Sequence, residues 1–505
     1  MGPFASRIRI SGTRVIGAYA HRMLAVTYAH NIALVLRTEF CKLTGRMPKQ
    51  EKHADPNTLL GQLQRGRGEG YRRALAAPRS EAWDCLLDCI CNDPRLDSQV
   101  ENRADYYALL ASESGLDLDP LVQYVREYDD KDQGWNTPLA VETLGELAKR
   151  GYKDSAARLC DYVRWGQWWE WILEDLTAGR DSNQQAKVAS IIEERFPGDA
   201  ELENALAWFD LNTEPWATLG RCSARICKLK DGPRKISGNS SEPDLPSNAV
   251  SLSADRLLQL ANKTNYWKLA KMIRQVVKPA DLDLLVKGVS LENPFVANVA
   301  LAGLAQLALP TTFEWLKDFW SSNPGMPGFL RRRAGEVFIS LPPELTMPMA
   351  RERLHHAEWH ERYLAEDLFE AHAVPEDIPV LRAAIREALL DDEKNCYRLC
   401  NLMEAFLNFP GIGNIAELSY VFVQFRYSYG RARAAKAVYV TAPELFREKF
   451  ALECLWDCEA RTRKLAVETA PPEKSGVHDR FRQLAVDQWE DDDVRSEARR
   501  RAQPE

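Results

Sequence analysis

Trp171 and Asp175 stand four residues apart in the densest aromatic stretch of the chain, Trp165-Gly166-Gln167-Trp168-Trp169-Glu170-Trp171, with Glu174 beside them. On a single helix the two side chains would project together. An indole face beside a carboxylate can hold a cationic base by cation–π attraction and charge. The same residues also suit an aromatic seam between helices, which needs no ligand and is the preferred reading. His356 and His360 are likewise four apart, in His355-His356-Ala357-Glu358-Trp359-His360-Glu361. Two imidazoles on one helical face can ligate zinc. The order is not that of the His-Glu-x-x-His peptidases and spacing gives no third ligand, so a solvated or interface patch is preferred and no metal or cofactor is expected. The cysteine pairs Cys85/Cys89, Cys396/Cys400 and Cys454/Cys458 share the same spacing and are read as small core residues.

A third group is cationic. Arg331, Arg332 and Arg333, then Arg431 and Arg433 with Arg426 and Lys436, recur at similar places in successive repeats. In a stacked array equivalent positions align along one face, which would give an acidic partner protein a surface to bind. Internal pairing with Glu336, Glu358 or Asp391 is the equal alternative. No nucleophile elbow, phosphate-cradling lysine loop, dinucleotide fingerprint or kinase signature is present. The run Gly61 to Gly70 lacks the preceding strand and the lysine-serine/threonine ending of a phosphate loop, and reads as a helix end with a turn.

The elements that must position these groups are helices. The 505 residues carry 45% hydrophobic and 28% charged residues, an ordinary globular composition long enough for several domains or one repeat array. A net charge of −7 gives no overall basic field, so nucleic acid is not the favoured partner. Eleven dispersed cysteines without a secretory signal are read as reduced thiols in a cytoplasmic protein. Ser80 is expected to cap a helix carrying Trp83, Leu86, Leu87 and Ile90 on one face, and Thr137-Pro138 opens another. Tyr420 to Phe425 has strand-like composition, but its place in the repeat rhythm predicts a buried helix.

Four regions are expected. Residues 1–58 form a basic leader, whose semi-apolar run Val15 to Leu36 is broken by His21, Arg22, His30 and Asn31 and does not reach the ~20 mostly apolar residues of a membrane span. Membrane contact by this leader is not favoured. Residues 59–227 form an N-terminal helical-repeat domain, 228–250 a glycine-, proline- and serine-rich linker, and 251–505 a C-terminal array. In that array, repeat starts at 292–297, 328–333, 358–362, 391–394, 430–433, 458–461 and 491–495 lie roughly 28 to 37 residues apart, the period of two-helix repeats.

Asn293-Pro294-Phe295-Val296 with Ala300-Leu301, Arg433-Ala434-Ala435-Lys436-Ala437-Val438, Thr462-Arg463-Lys464-Leu465-Ala466-Val467 and Asp493-Val494-Arg495 together resemble the HEAT-repeat family. The likeness covers about the last 220 residues well and 80 to 220 loosely. It implies an all-α solenoid of antiparallel helical hairpins, wound as a right-handed superhelix, and a non-catalytic scaffold or adaptor that binds a partner protein. Copies are less regular and richer in aromatics than the family pattern. The Trp171/Asp175 segment alone is similar to HEAT-like alkylpurine DNA glycosylases, whose site pairs tryptophans with an aspartate. That resemblance implies a base-acting site with phosphate-binding cations around it, whereas Asp161, Glu170 and Glu174 offset the nearby Arg158, Arg164 and Arg180.

Overall fold

Helix starts follow the local chemistry of the chain. Asn293 accepts a hydrogen bond from Val296 N at 3.2 Å and Pro294 occupies the first helical position, so helix Pro294–Leu307 begins where a missing N–H costs nothing. Ser253 caps Ala254–Leu260 in the same way. Two expected caps are replaced. Pro78 takes the cap position of Arg79–Cys91, which leaves Ser80 inside the first turn. Thr137 precedes Pro138–Lys149, but its hydroxyl donates to the buried Asp129 at 2.8 Å and accepts from no N–H of the helix.

The structure, a computed structural model, describes residues 53–129, 137–152, 154–178, 180–231, 252–391 and 394–503. These belong to one compact unit, His53–Glu505. The fold is all-α: among the described residues there is no strand, and Tyr420–Gln424 lies in helix Ala416–Gln424. No helix among them is long and apolar enough to cross a membrane. Of the expected leader 1–58 and linker 228–250, residues 1–52 and 232–250 lie outside the described residues, and the linker's expected start is corrected: residues 228–231 close helix Ala224–Asp231.

Helices begin at Pro294, Gly328, Trp359, Cys396, Ser428, Ala460 and Asp492, at or within a few residues of the repeat starts. Each packs on the next of the series, with return helices between. Ala297, Ala300, Leu301 and Leu304 are all fully buried, small against large. At Gly303 an added Cβ would press on the end of the Leu285 side chain, so the missing side chain lets these helices approach closely. The apolar side chains form two cores, one over Leu59 to Ile226 and one over Ala254 to Ala498.

Between the cores runs a seam of buried charge. The turn between Leu59–Gln64 and Gly68–Ala76 lies on the loop that ends helix Ala451–Cys454, where Cys458 N donates to Gly66 O at 3.0 Å. Arg67 grips Glu453 with two bonds of 2.7 and 2.9 Å. Arg431 pairs with Asp457 and also donates to the carbonyls of Arg65 and Phe422. Arg103 donates to Glu101 at 3.0 Å and to the Cys458 sulfur, and Glu101 accepts from Ser428 N at 2.8 Å. Arg150 bridges Asp105 and Asp487 at 2.5 and 3.0 Å. Thus the Gly61–Gly70 stretch holds the expected helix end and turn, and Gly66 and Gly68 mark where two backbones meet.

Candidate functional site

The aromatic–carboxylate pair is taken apart by a change of helix type. Trp171 sits in a 3-10 turn, Trp169–Ile172, and Asp175 in the short α-helix that follows, Leu173–Thr177. Trp171 faces outward with its ring 4.7 Å from that of Trp168. Asp175 is buried against Pro138–Lys149, where Lys149 pairs with it at 2.8 Å and the absence of a Cβ on Gly145 makes room for its carboxyl. Burial raises its pKa to about 6, against the pull of Lys149. The expectation that the two side chains project together is therefore corrected: Asp175 is committed to an internal ion pair.

The histidine pair also loses its premise. Helix Trp359–His372 begins after His356, so His356 and His360 do not share a helical face. His356 is exposed and its Nδ1 accepts from Glu358 N, while His360 is buried beside Trp320, with ring centroids 6.3 Å apart. Burial first, then Arg331, lowers the His360 pKa, which favours the neutral imidazole. Among the described residues no three metal-capable side chains cluster.

The arginines divide between inside and outside. Arg331 is buried over the Trp320 ring, 5.2 Å from its centroid, and donates to Pro324 O. Trp320 Nε1 in turn donates to Glu361 at 2.9 Å, and Glu361 pairs with Arg353 at 2.6 Å. Arg331 and His360, singled out separately in the sequence, thus meet around one indole in an internal cluster. Arg431 lies at 0% exposure in the charged seam, which overturns its expected place on a binding surface. Arg333 pairs with Glu336, and Arg433 pairs with Glu404 at 2.9 Å and stacks 4.1 Å from the Tyr429 centroid. Arg332 alone of the five is exposed and without an ion pair among the described residues.

What recurs at the starts of this series of helices is aromatic. Tyr266, Phe295, Phe329, Trp359, Tyr397 and Tyr429 are each the first or second residue of their helix. The Tyr266 ring lies 5.5 Å from both Phe295 and Phe329, and Tyr427 links Tyr397 to Tyr429 at 5.8 and 5.9 Å. Phe329, Trp359 and Tyr397 are 37%, 62% and 56% exposed. Near its Tyr429 end the row meets the loop between helices Arg79–Cys91 and Ala104–Ser114: Tyr397 donates to Asp97, and Glu101 accepts from Ser428. Large exposed aromatics grouped in this way mark interaction sites. An aromatic at the first or second helical position of five of the seven repeat starts was the signal in the sequence, but the arginines beside it drew the eye.

Below Trp359 on the same helix stand Tyr363, Asp367 and Glu370. Burial raises the Asp367 pKa to about 7, with Glu370 adding to the shift and Arg332 opposing it. A carboxyl whose folded pKa lies above its unfolded value, ~3.9 for aspartate, holds its proton more tightly when folded. It adds stability as pH falls from above 7 toward 4 and withdraws it as pH rises. Asp367→Asn is accordingly expected to raise Tm more near pH 8 than near pH 5. Thermal unfolding at both pH values checks this, and an equal shift at the two would refute it.

Comparison with known protein families, curated proteins and solved structures finds no match for this chain.

Proposed function

We propose that this protein is a HEAT-like α-solenoid, right-handed and cytoplasmic, that works without catalysis as a scaffold or adaptor for a partner protein. The observation that carries the reading is the aromatic row at the starts of successive helices, left exposed at Phe329 and Trp359. Supporting it is the serial packing of each helix of the series on the next. Solenoids bind through extended surfaces to which many side chains contribute a little, with a few aromatic anchors dominating.

Affinity capture from native-host extract, run beside a salt-titrated DNA-binding assay, tests the proposal. Wild type is expected to retain one stoichiometric protein and to bind DNA weakly at physiological salt. The double variant Phe329→Ser/Trp359→Ser, with an unchanged melting curve, should lose that protein. Retention by the variant, or DNA binding that survives physiological salt and is lost on Trp171→Ala or Asp175→Asn, would overturn the reading.

A further inference from the structure

The outward strip of helix Trp359–His372 reads Trp359, Tyr363, Asp367, Glu370, spaced at helical turns. Tyr397, Asn401 and Glu404 form the matching strip on Cys396–Ala405, which packs directly against it. The upper half of this patch is aromatic, with Trp359 and Tyr363 62% and 40% exposed. The lower half is acidic, and its carboxylates are not alike. Glu366 is buried and held by Asn401 at 3.2 Å and Arg398 at 3.3 Å, and Glu404 is held by Arg433. Asp367 and Glu370 have no ion pair and no side-chain hydrogen bond among the described residues. Arg332 on the preceding helix draws the Asp367 pKa down but is not paired with it, and burial together with Glu370 leaves that pKa high. Burial also raises Glu370, with Glu404 adding to it and Arg433 and Lys436 opposing.

Two uncompensated carboxylates one turn below two exposed rings define what fits there. A phosphate backbone would meet repulsion, which excludes a nucleic acid on this patch. A purely apolar segment would leave the carboxylates half-desolvated with no partner. A guanidinium satisfies both halves, because it can stack on a ring face while its planar donors engage a carboxylate.

We propose that the patch formed by Trp359, Tyr363, Tyr397, Asp367 and Glu370 docks an arginine-bearing segment of the partner protein, with the arginine stacked on Tyr363 and paired with Asp367 and Glu370. This rests on the scaffold reading and adds the chemistry of the partner. Arg332 on Gly328–Ser340 and Arg433 on Ser428–Thr441 lie near enough to act on Asp367 and Glu370 respectively, so the cationic residue is accepted at one place along the row.

Fluorescence anisotropy on the full chain tests it with three matched labelled peptides. They share the same apolar residues and carry arginine, serine or glutamate at the charged positions. The arginine peptide should bind at least about tenfold more tightly than the other two. Its affinity should fall with salt, and should fall to that of the serine peptide in Asp367→Asn/Glu370→Gln. That variant removes unpaired charge and so is not expected to unfold the protein. Equal binding of all three peptides, lost in Trp359→Ala, overturns the charge assignment and leaves the aromatic docking surface standing. Tighter binding of the glutamate peptide, or no binding of any, overturns the inference, and the capture experiment then decides the scaffold reading separately.

Discussion

Asp457→Ala should destabilise the protein by about 3–5 kcal/mol, the range for breaking a buried ion pair by removing one partner. The cause is what remains. Arg431 is fully enclosed, and without Asp457 its guanidinium keeps only the carbonyls of Arg65 and Phe422 as acceptors. Asp457 also accepts from Glu459 N at 3.0 Å, so the loop that meets the N-terminal helices loses a second tie. The double change Asp457→Leu/Arg431→Met removes the stranded charge along with its partner. It should cost less than Asp457→Ala alone, since apolar replacements of a buried pair are often neutral. Urea unfolding of the two variants measures the difference. If Asp457→Ala costs under about 1 kcal/mol, comparable to a surface pair, the seam does not hold the cores together as described. Hydrogen exchange adds a location: protection should fall first at Gly66–Arg67 and at 455–459, where the two backbones touch.

The second large effect is expected at Gly66. Its φ is +64°, and an added Cβ would collide with the Cys458 sulfur and the Arg103 guanidinium, both fixed in the seam. Gly66→Ala therefore combines about 1–2 kcal/mol for a side chain in left-handed backbone with about 1–3 kcal/mol for overpacking. Gly151 supplies the control, because it has a similar φ of +69° with nothing near the Cβ position. Gly151→Ala should show the backbone cost alone. Equal losses of stability at the two sites would mean that the contact at Gly66 relaxes freely and that the seam tolerates displacement.

How the chain divides into helices was legible, and the candidate sites were not. The repeat starts at 292–297, 328–333, 358–362 and 491–495 coincide with helix starts because they depend on local chemistry: caps, a first-position proline, and apolar residues at helical spacing. The Trp171/Asp175 and His356/His360 pairs misled for one reason. Four-residue spacing places side chains together only where the helix is continuous. A 3-10 turn intervenes at Trp169–Ile172, and helix Trp359–His372 starts after His356. Among the arginines, Arg331 turns inward while its neighbour Arg332 is exposed, and adjacent residues on a helix look alike to any reading of charge clusters.

From sequence alone came the helices, the period of the repeats and the turn at Gly61–Gly70, all set by interactions within a few residues along the chain. Only the tertiary structure decided that Arg103 and Arg431 are buried, that residues near 66 and 101 meet residues near 428 and 458, and that six aromatics fall at equivalent helix starts with only part of their row exposed. Those facts depend on which charges find partners hundreds of residues away. Burial of an arginine is tolerable only once such a partner is in place, and no local pattern records where it will come from.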